Sequence, residues 1–149
     1  MRERAYEHVQ GFWLLKTEPS DYSFDDLERD VSTVWDGVGN NTALKYMREV
    51  RENDRALIYH TGSERRIVGV ARVLSDAYPD PQQPDSTRVV FDVEMERRLP
   101  EPVPLSDVKD DPDFSDWELV TNSRLSVMPV GPEHWEKLLA MGGDQGEGP

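Results

Sequence analysis

Phe12-Trp13-Leu14-Leu15-Lys16-Thr17 is short and apolar and runs directly into Glu18-Pro19. An unbroken apolar run of this length, stopped by a residue that cannot donate to a ladder, reads as a buried first strand. Residues 1–10 ahead of it form a polar leader. Behind it, Ser23 with Asp26 three residues on has the spacing of a capping box, so a short helix opens at Phe24. Val31 to Trp35 is β-branched and brief, a second strand entering the turn Asp36-Gly37-Val38-Gly39. Asn40-Asn41 then offers caps for a helix whose Leu44, Met47 and Val50 make one apolar stripe.

Arg55 to His60 and Arg66 to Ser75 read as an antiparallel pair joined by a hairpin-length loop. Tyr78 to Thr87, with three prolines, reads as a loop. In Val89 to Leu99, Phe91, Val93 and Met95 alternate with Asp92, Glu94 and Glu96, so this strand has one wet, acidic face. Pro100 to Pro104 should break the chain; Ser106 begins a helical turn, and Asp110 to Asp116 reads as an acidic loop. Leu125 to Val130 is a late strand, and Pro132 opens a closing helix whose inner face is Trp135, Leu138 and Leu139. About five strands with short marginal helices and long connections predict a mixed, largely antiparallel sheet curled toward a barrel. The expected organisation is one domain over residues 1–143, with residues 144–149 a mobile tail.

Composition narrows the function. The 149 residues include 17 basic and 30 acidic side chains, a net charge of −13, and no cysteine. A broad phosphate-gripping surface needs the opposite balance. Residues 1–80 carry 11 basic and 15 acidic groups and residues 81–149 carry 6 and 15, so the N-terminal half is the better home for an anionic ligand. Thirteen of the cations are Arg and only Lys16, Lys45, Lys109 and Lys137 are Lys, a balance that suits concentrated salt. With no cysteine, no secretory signal and no apolar run long enough for a bilayer, a cytoplasmic setting is expected.

Catalytic patterns are few. His8, His60 and His134 lack the spacing of a zinc site, no nucleophile elbow or phosphate loop is present, and the acidic run near Asp110 lacks the glycine and glutamate of a calcium loop. No cofactor, metal or membrane is implied. What remains is a concentration of aromatic and hydrogen-bonding residues at strand ends: Lys16 to Tyr22, Trp35 to Val38, Asn40-Asn41 and Tyr59-His60-Thr61. Flat rings stack on a heterocycle while amide, hydroxyl and carboxylate groups read its edge. The alternative is that Trp35 and Tyr59 are core anchors.

The blocks Trp13-Leu14-Leu15-Lys16-Thr17-Glu18-Pro19 with Tyr22-Ser23, Trp35-Asp36-Gly37-Val38 with Asn40, Tyr59-His60, Gly69-Val70-Ala71, and Ser123 to Val130 before Trp135 resemble the EVE domain family from about Phe12 to Gly143. The resemblance implies an α+β, PUA-like fold: a curled mixed sheet, or pseudo-barrel, with short flanking helices. The family is related to modules such as YTH domains, which cage a methylated adenine, and by analogy its pocket would take a modified base of DNA or RNA. Carried over, the ligand-binding candidates are Lys16, Glu18, Pro19, Ser20, Tyr22, Trp35, Gly37, Val38, Asn40, Tyr59, His60, Arg124, Leu125 and Ser126. Trp35 or Tyr22 would stack; Asn40, Ser20 and the Gly37-Val38 backbone would read the edge; Lys16 and Arg124 would meet a flanking phosphate, with Glu18 as another partner for Lys16. The family usually carries an arginine where this chain has Gly39, a loss for which Arg124 or Lys45 would compensate.

Two other functions fit the residues. An enzyme acting on a nucleobase or small heterocycle would use Glu18 and His60 as acid and base, which requires both at one ligand. An interaction module would offer Asp110, Asp111 and Asp113 to a basic partner.

Overall fold

A computed structural model describes residues 10–144; most of the leader and the last five residues lie outside the described residues. The apolar opening run is strand β1 (Phe12–Thr17). Ser23 caps α1 (Phe24–Asp30): its hydroxyl accepts from the Asp26 amide at 3.0 Å, and the Asp26 carboxylate accepts from the Ser23 amide at 2.9 Å. β2 (Ser32–Trp35) follows, then α2 (Asn41–Met47), where Asn40 Oδ1 accepts the Ala43 amide at 2.9 Å. β3 (Arg55–His60), β4 (Arg66–Val73), a two-residue β5 (Tyr78–Pro79) and β6 (Val89–Pro104) come next. The chain closes with α3 (Leu105–Asp110), α4 (Glu118–Thr121), β7 (Val127–Pro129) and α5 (Pro132–Met141).

The strands lie in the order β2-β6-β4-β3-β1-β7, with β5 on the start of β6. β1 runs parallel to β3, pairing Phe12 with Arg55 through Thr17 with His60, while the other described ladders are antiparallel. This central pair is buried along most of its length, the apolar pattern of strands covered on both faces. No described ladder joins β2 to β7, so the sheet is a half-barrel whose two edges face a gap. No helix among the described residues is long and apolar enough to cross a membrane.

β6 corrects the expected break at Pro100. The strand continues to Pro104 because its register against β4 jumps: Gly69 pairs with Arg98, but Ile67 pairs with Val103. Pro100 and Pro102 fall inside this bulge, where a residue without an N–H leaves no ladder bond unmade. The Glu101 amide instead donates to the Gly142 carbonyl at 2.9 Å. Asp144, expected in the mobile tail, is held by Arg97 at 2.8 Å. The acidic loop is likewise pinned: Asp111 accepts the Asp113 amide at 3.0 Å, and Lys137 of α5 reaches Asp111 at 2.8 Å and Asp113 at 2.5 Å. Short α4, just beyond that loop, has no counterpart in the sequence reading.

Tyr78, read as loop, pairs with Val90 and donates its phenol to Asp92 at 2.6 Å. That bond, with burial second, pushes the phenol's pKa up to about 12. The native phenol therefore holds its proton more tightly than an unfolded tyrosine of pKa about 10. Its contribution to stability is complete below that value and is lost as pH rises from about 10 toward 12. Tyr78→Phe should flatten the fall of the unfolding midpoint across this window, and an unchanged slope would refute the assignment.

Candidate base-binding cavity

A cavity of about 520 Å³ occupies the gap between the two ends of the sheet. One wall is the end of β1 and the turn after it, with Lys16, Thr17, Glu18, Asp21 and Tyr22; Ser126, just before β7, adjoins them. The other wall is β2 and its exit loop, Thr33 through Asn40. That loop turns at Gly37, whose φ of +78° suits a residue without a Cβ.

The structure brings Lys16, Glu18, Tyr22, Trp35, Gly37, Val38, Asn40 and Ser126 together around this cavity. Trp35 is only 7% exposed, so it is core anchor and cavity wall at once. Neither its ring nor that of Tyr22 stacks on another aromatic among the described residues. The Tyr22 phenol donates to Asp30 at 2.9 Å, and burial raises its pKa. Asn40 commits its oxygen to capping α2, which leaves its amide N–H groups free of described partners. Burial pushes the Lys16 ammonium pKa down; the group donates to the Ser123 carbonyl at 3.0 Å.

The alternative pairing of Lys16 with Glu18 does not form. The Glu18 carboxylate is instead held below the usual range, first by the Ser20 amide and next by the Thr61 hydroxyl, which donates to it at 3.1 Å. Pro19 and Ser20 lie off the cavity lining, and the Ser20 hydroxyl is spent on Glu18 at 3.1 Å. Leu125 is 2% exposed and belongs to the core, while Arg124 is exposed and off the lining. Tyr59 lines a second cavity.

His60, too, lies off the lining. Its Nε2 accepts the Phe24 amide, an unpaired donor of the first turn of α1, at 3.0 Å, and its Nδ1 donates to Glu64 at 2.9 Å. That bond is the main reason the Glu64 carboxyl pKa is lowered. With both ring nitrogens engaged, His60 joins α1 to β3 and does not meet Glu18 at one ligand. Among the described residues, no group of three or more His, Asp or Glu is arranged to hold a metal ion.

Thr17, Asp21, Thr33, Val34, Asp36 and Gly39 also line the cavity and are not among the ligand-binding candidates carried over from the family, although Thr17, Asp21 and Asp36 fall inside the strand-end stretches and Gly39 marks the departure from the family. The signal was their continuity with those candidates, since 33–40 forms one wall. A Cβ at Gly39 would lie 2.6 Å from Arg88 Nη2. The Arg88 guanidinium, delivered from the loop before β6, lies beside the glycine and places a cation next to the cavity wall. It has no ion-pair partner among the described residues.

A half-barrel sheet whose open edge forms a roomy cleft with an aromatic wall defines a PUA-like α+β domain. The EVE domain model matches residues 11–141, and the chain belongs to that family. Thymocyte nuclear protein 1 of Danio rerio is 29% identical over 87% of this chain and 71% of its own length. Among solved structures, Rpa0253 from Rhodopseudomonas palustris superimposes with a TM-score of 0.85 at 38% identity, covering 89% of this chain and 93% of its own. Human THYN1, solved in complex with 5-methylcytosine-containing DNA, gives a TM-score of 0.83 at 25% identity, covering 91% and 99%.

Proposed function

We propose that the protein is a non-catalytic module that binds a modified base of a nucleic acid, with methylated cytosine the first candidate. The observation that carries this reading is the cavity of about 520 Å³, in which a nearly buried indole has no stacking partner and hydrogen-bonding groups stand free. The human relative's complex with methylcytosine DNA supports it. Trp35 stacks on the ring. Asp36, exposed and without a described partner, accepts from the exocyclic amine of cytosine, the pairing that carboxylates make with that base. The Asn40 amide donates to the ring carbonyl, and Val34 and Val38 offer apolar surface to a methyl group.

Charge agrees with a recessed ring and not a gripped backbone. Three carboxylates, Glu18, Asp21 and Asp36, line the cavity against one ammonium, Lys16, and this repels a phosphate inside it. The engagement of His60 in the fold favours binding over acid–base chemistry. Lys137 already neutralises Asp111 and Asp113, so the acidic segment offers little to a basic partner.

Fluorescence titration with oligonucleotides that differ only in cytosine methylation is the test, run with single and double strands of DNA and with RNA. Tighter binding of a methylated strand is expected, and indifference to the methyl group in every form overturns the proposal. Arg88→Ala should weaken binding severalfold in dilute salt and less in concentrated salt, because the contact is made to a phosphate. An equal loss at both salt levels would assign Arg88 a structural role.

A further inference from the structure

Lys16 lines a second cavity as well as the first. This one, of about 260 Å³, lies on the other side of its side chain and collects Tyr59, Thr61, Arg65, Lys109 and Ser123. In a chain of net charge −13 it gathers three cations, Lys16, Arg65 and Lys109, and no carboxylate lines it. Neither Arg65 nor Lys109 has an ion-pair partner among the described residues. Glu64, next to Arg65 in the chain, is committed to His60 and Arg66, and Glu18 to Ser20 and Thr61.

Fold geometry, and not chance exposure, brings these groups together. Arg65 takes a φ of +46°, unusual for a residue with a side chain, and its carbonyl accepts the Leu105 amide at 2.9 Å. That bond ties the β3–β4 turn to the start of α3, which carries Lys109. Lys16 is oriented from the opposite side by the Ser123 carbonyl and sits 5.5 Å from the Tyr59 ring centre. The Tyr59 hydroxyl has no described partner, so it adds a neutral donor. Converging, unneutralised cations beside a free hydroxyl make a site for a tetrahedral oxyanion.

The geometry points to this second cavity as a phosphate subsite that receives the backbone phosphate flanking the base held in the first. The inference rests on the base-binding reading and divides the ligand by charge: the ring enters the acid-lined cavity, and the phosphate enters the cation-lined one. Lys16 forms the partition, so one nucleotide can span both.

Two measurements test it on the full chain and on Arg65→Gln and Lys109→Gln, both exposed positions whose replacement leaves the core intact. The first titrates inorganic phosphate and follows NMR signals of Tyr59, Arg65 and Lys109. Saturable shifts centred on these residues, lost in the variants, are expected. The second measures the salt dependence of oligonucleotide binding. Each variant should make the negative slope of log K against log salt shallower by about 0.7 for a single strand, while preference for the methylated base persists. No saturation by phosphate, or a slope unchanged in both variants, overturns the subsite even where methylation is still read. Phosphate shifts and a reduced slope without any methyl preference would uphold the subsite and remove the base reading.

Discussion

Asp54→Ala is expected to lower the free energy of unfolding by about 3–5 kcal/mol. Asp54 is fully buried in the turn before β3. Its Oδ1 accepts the Gly11 amide at 2.8 Å, and its Oδ2 accepts the Trp13 indole N–H at 2.9 Å and the Arg51 amide at 2.9 Å. Alanine would strand the buried Trp13 indole N–H and take the acceptor from two part-buried amides, and each donor left unsatisfied costs about 1–3 kcal/mol. Through the Trp13 indole the same carboxylate also ties β1 to the turn before β3, beside the backbone ladder that joins the two strands. Asp54→Asn keeps one acceptor oxygen and should lose less. Urea unfolding of the three proteins checks this, and an alanine variant within about 1 kcal/mol of the parent would refute the role given to Asp54.

Trp35→Ala is expected to weaken binding of the methylated oligonucleotide by roughly 5- to 150-fold, the equivalent of about 1–3 kcal/mol of stacking. The same change removes a core ring, so it should also destabilise by about 3–5 kcal/mol. Trp35→Phe separates the two effects, since it retains a flat face against the ligand. That variant should recover most of the affinity while keeping a moderate stability deficit. Binding by Trp35→Ala as tight as the parent's, at a temperature where circular dichroism shows it folded, would remove Trp35 from the site.

The two replacements sample two kinds of legibility. Trp35 stands out in the sequence because a large ring at the end of a short β-branched strand, just before Asp36-Gly37, has few places to go. Asp54 does not, because its partners lie up to 43 residues away and nothing in Glu52-Asn53-Asp54-Arg55 distinguishes it from a solvated turn. His60 shows the same limit in a different form. Its place beside Tyr59 at a strand end made it a site candidate, but only the packing of α1 against it decided that both nitrogens serve the fold. Gly39 and Arg88, 49 residues apart, meet only once the loop before β6 lies over the cavity wall.

By itself the sequence determined most of the element types, the caps at Ser23 and Asn40 and the curled mixed sheet, and its family resemblance named eight of the residues around the cavity. Those features rest on interactions spanning a few residues: alternation of side chains along a strand, a hydroxyl reaching an amide three positions on, a glycine free to turn. Only the tertiary structure decided that β6 continues through its prolines, that Asp54 is buried, that Arg88 lies beside Gly39, and that Lys16 divides an acidic cavity from a basic one. These depend on register and on charges brought together from distant segments. A one-dimensional pattern of residue types carries no distance between such groups, and distance sets both hydrogen bonding and electrostatic energy.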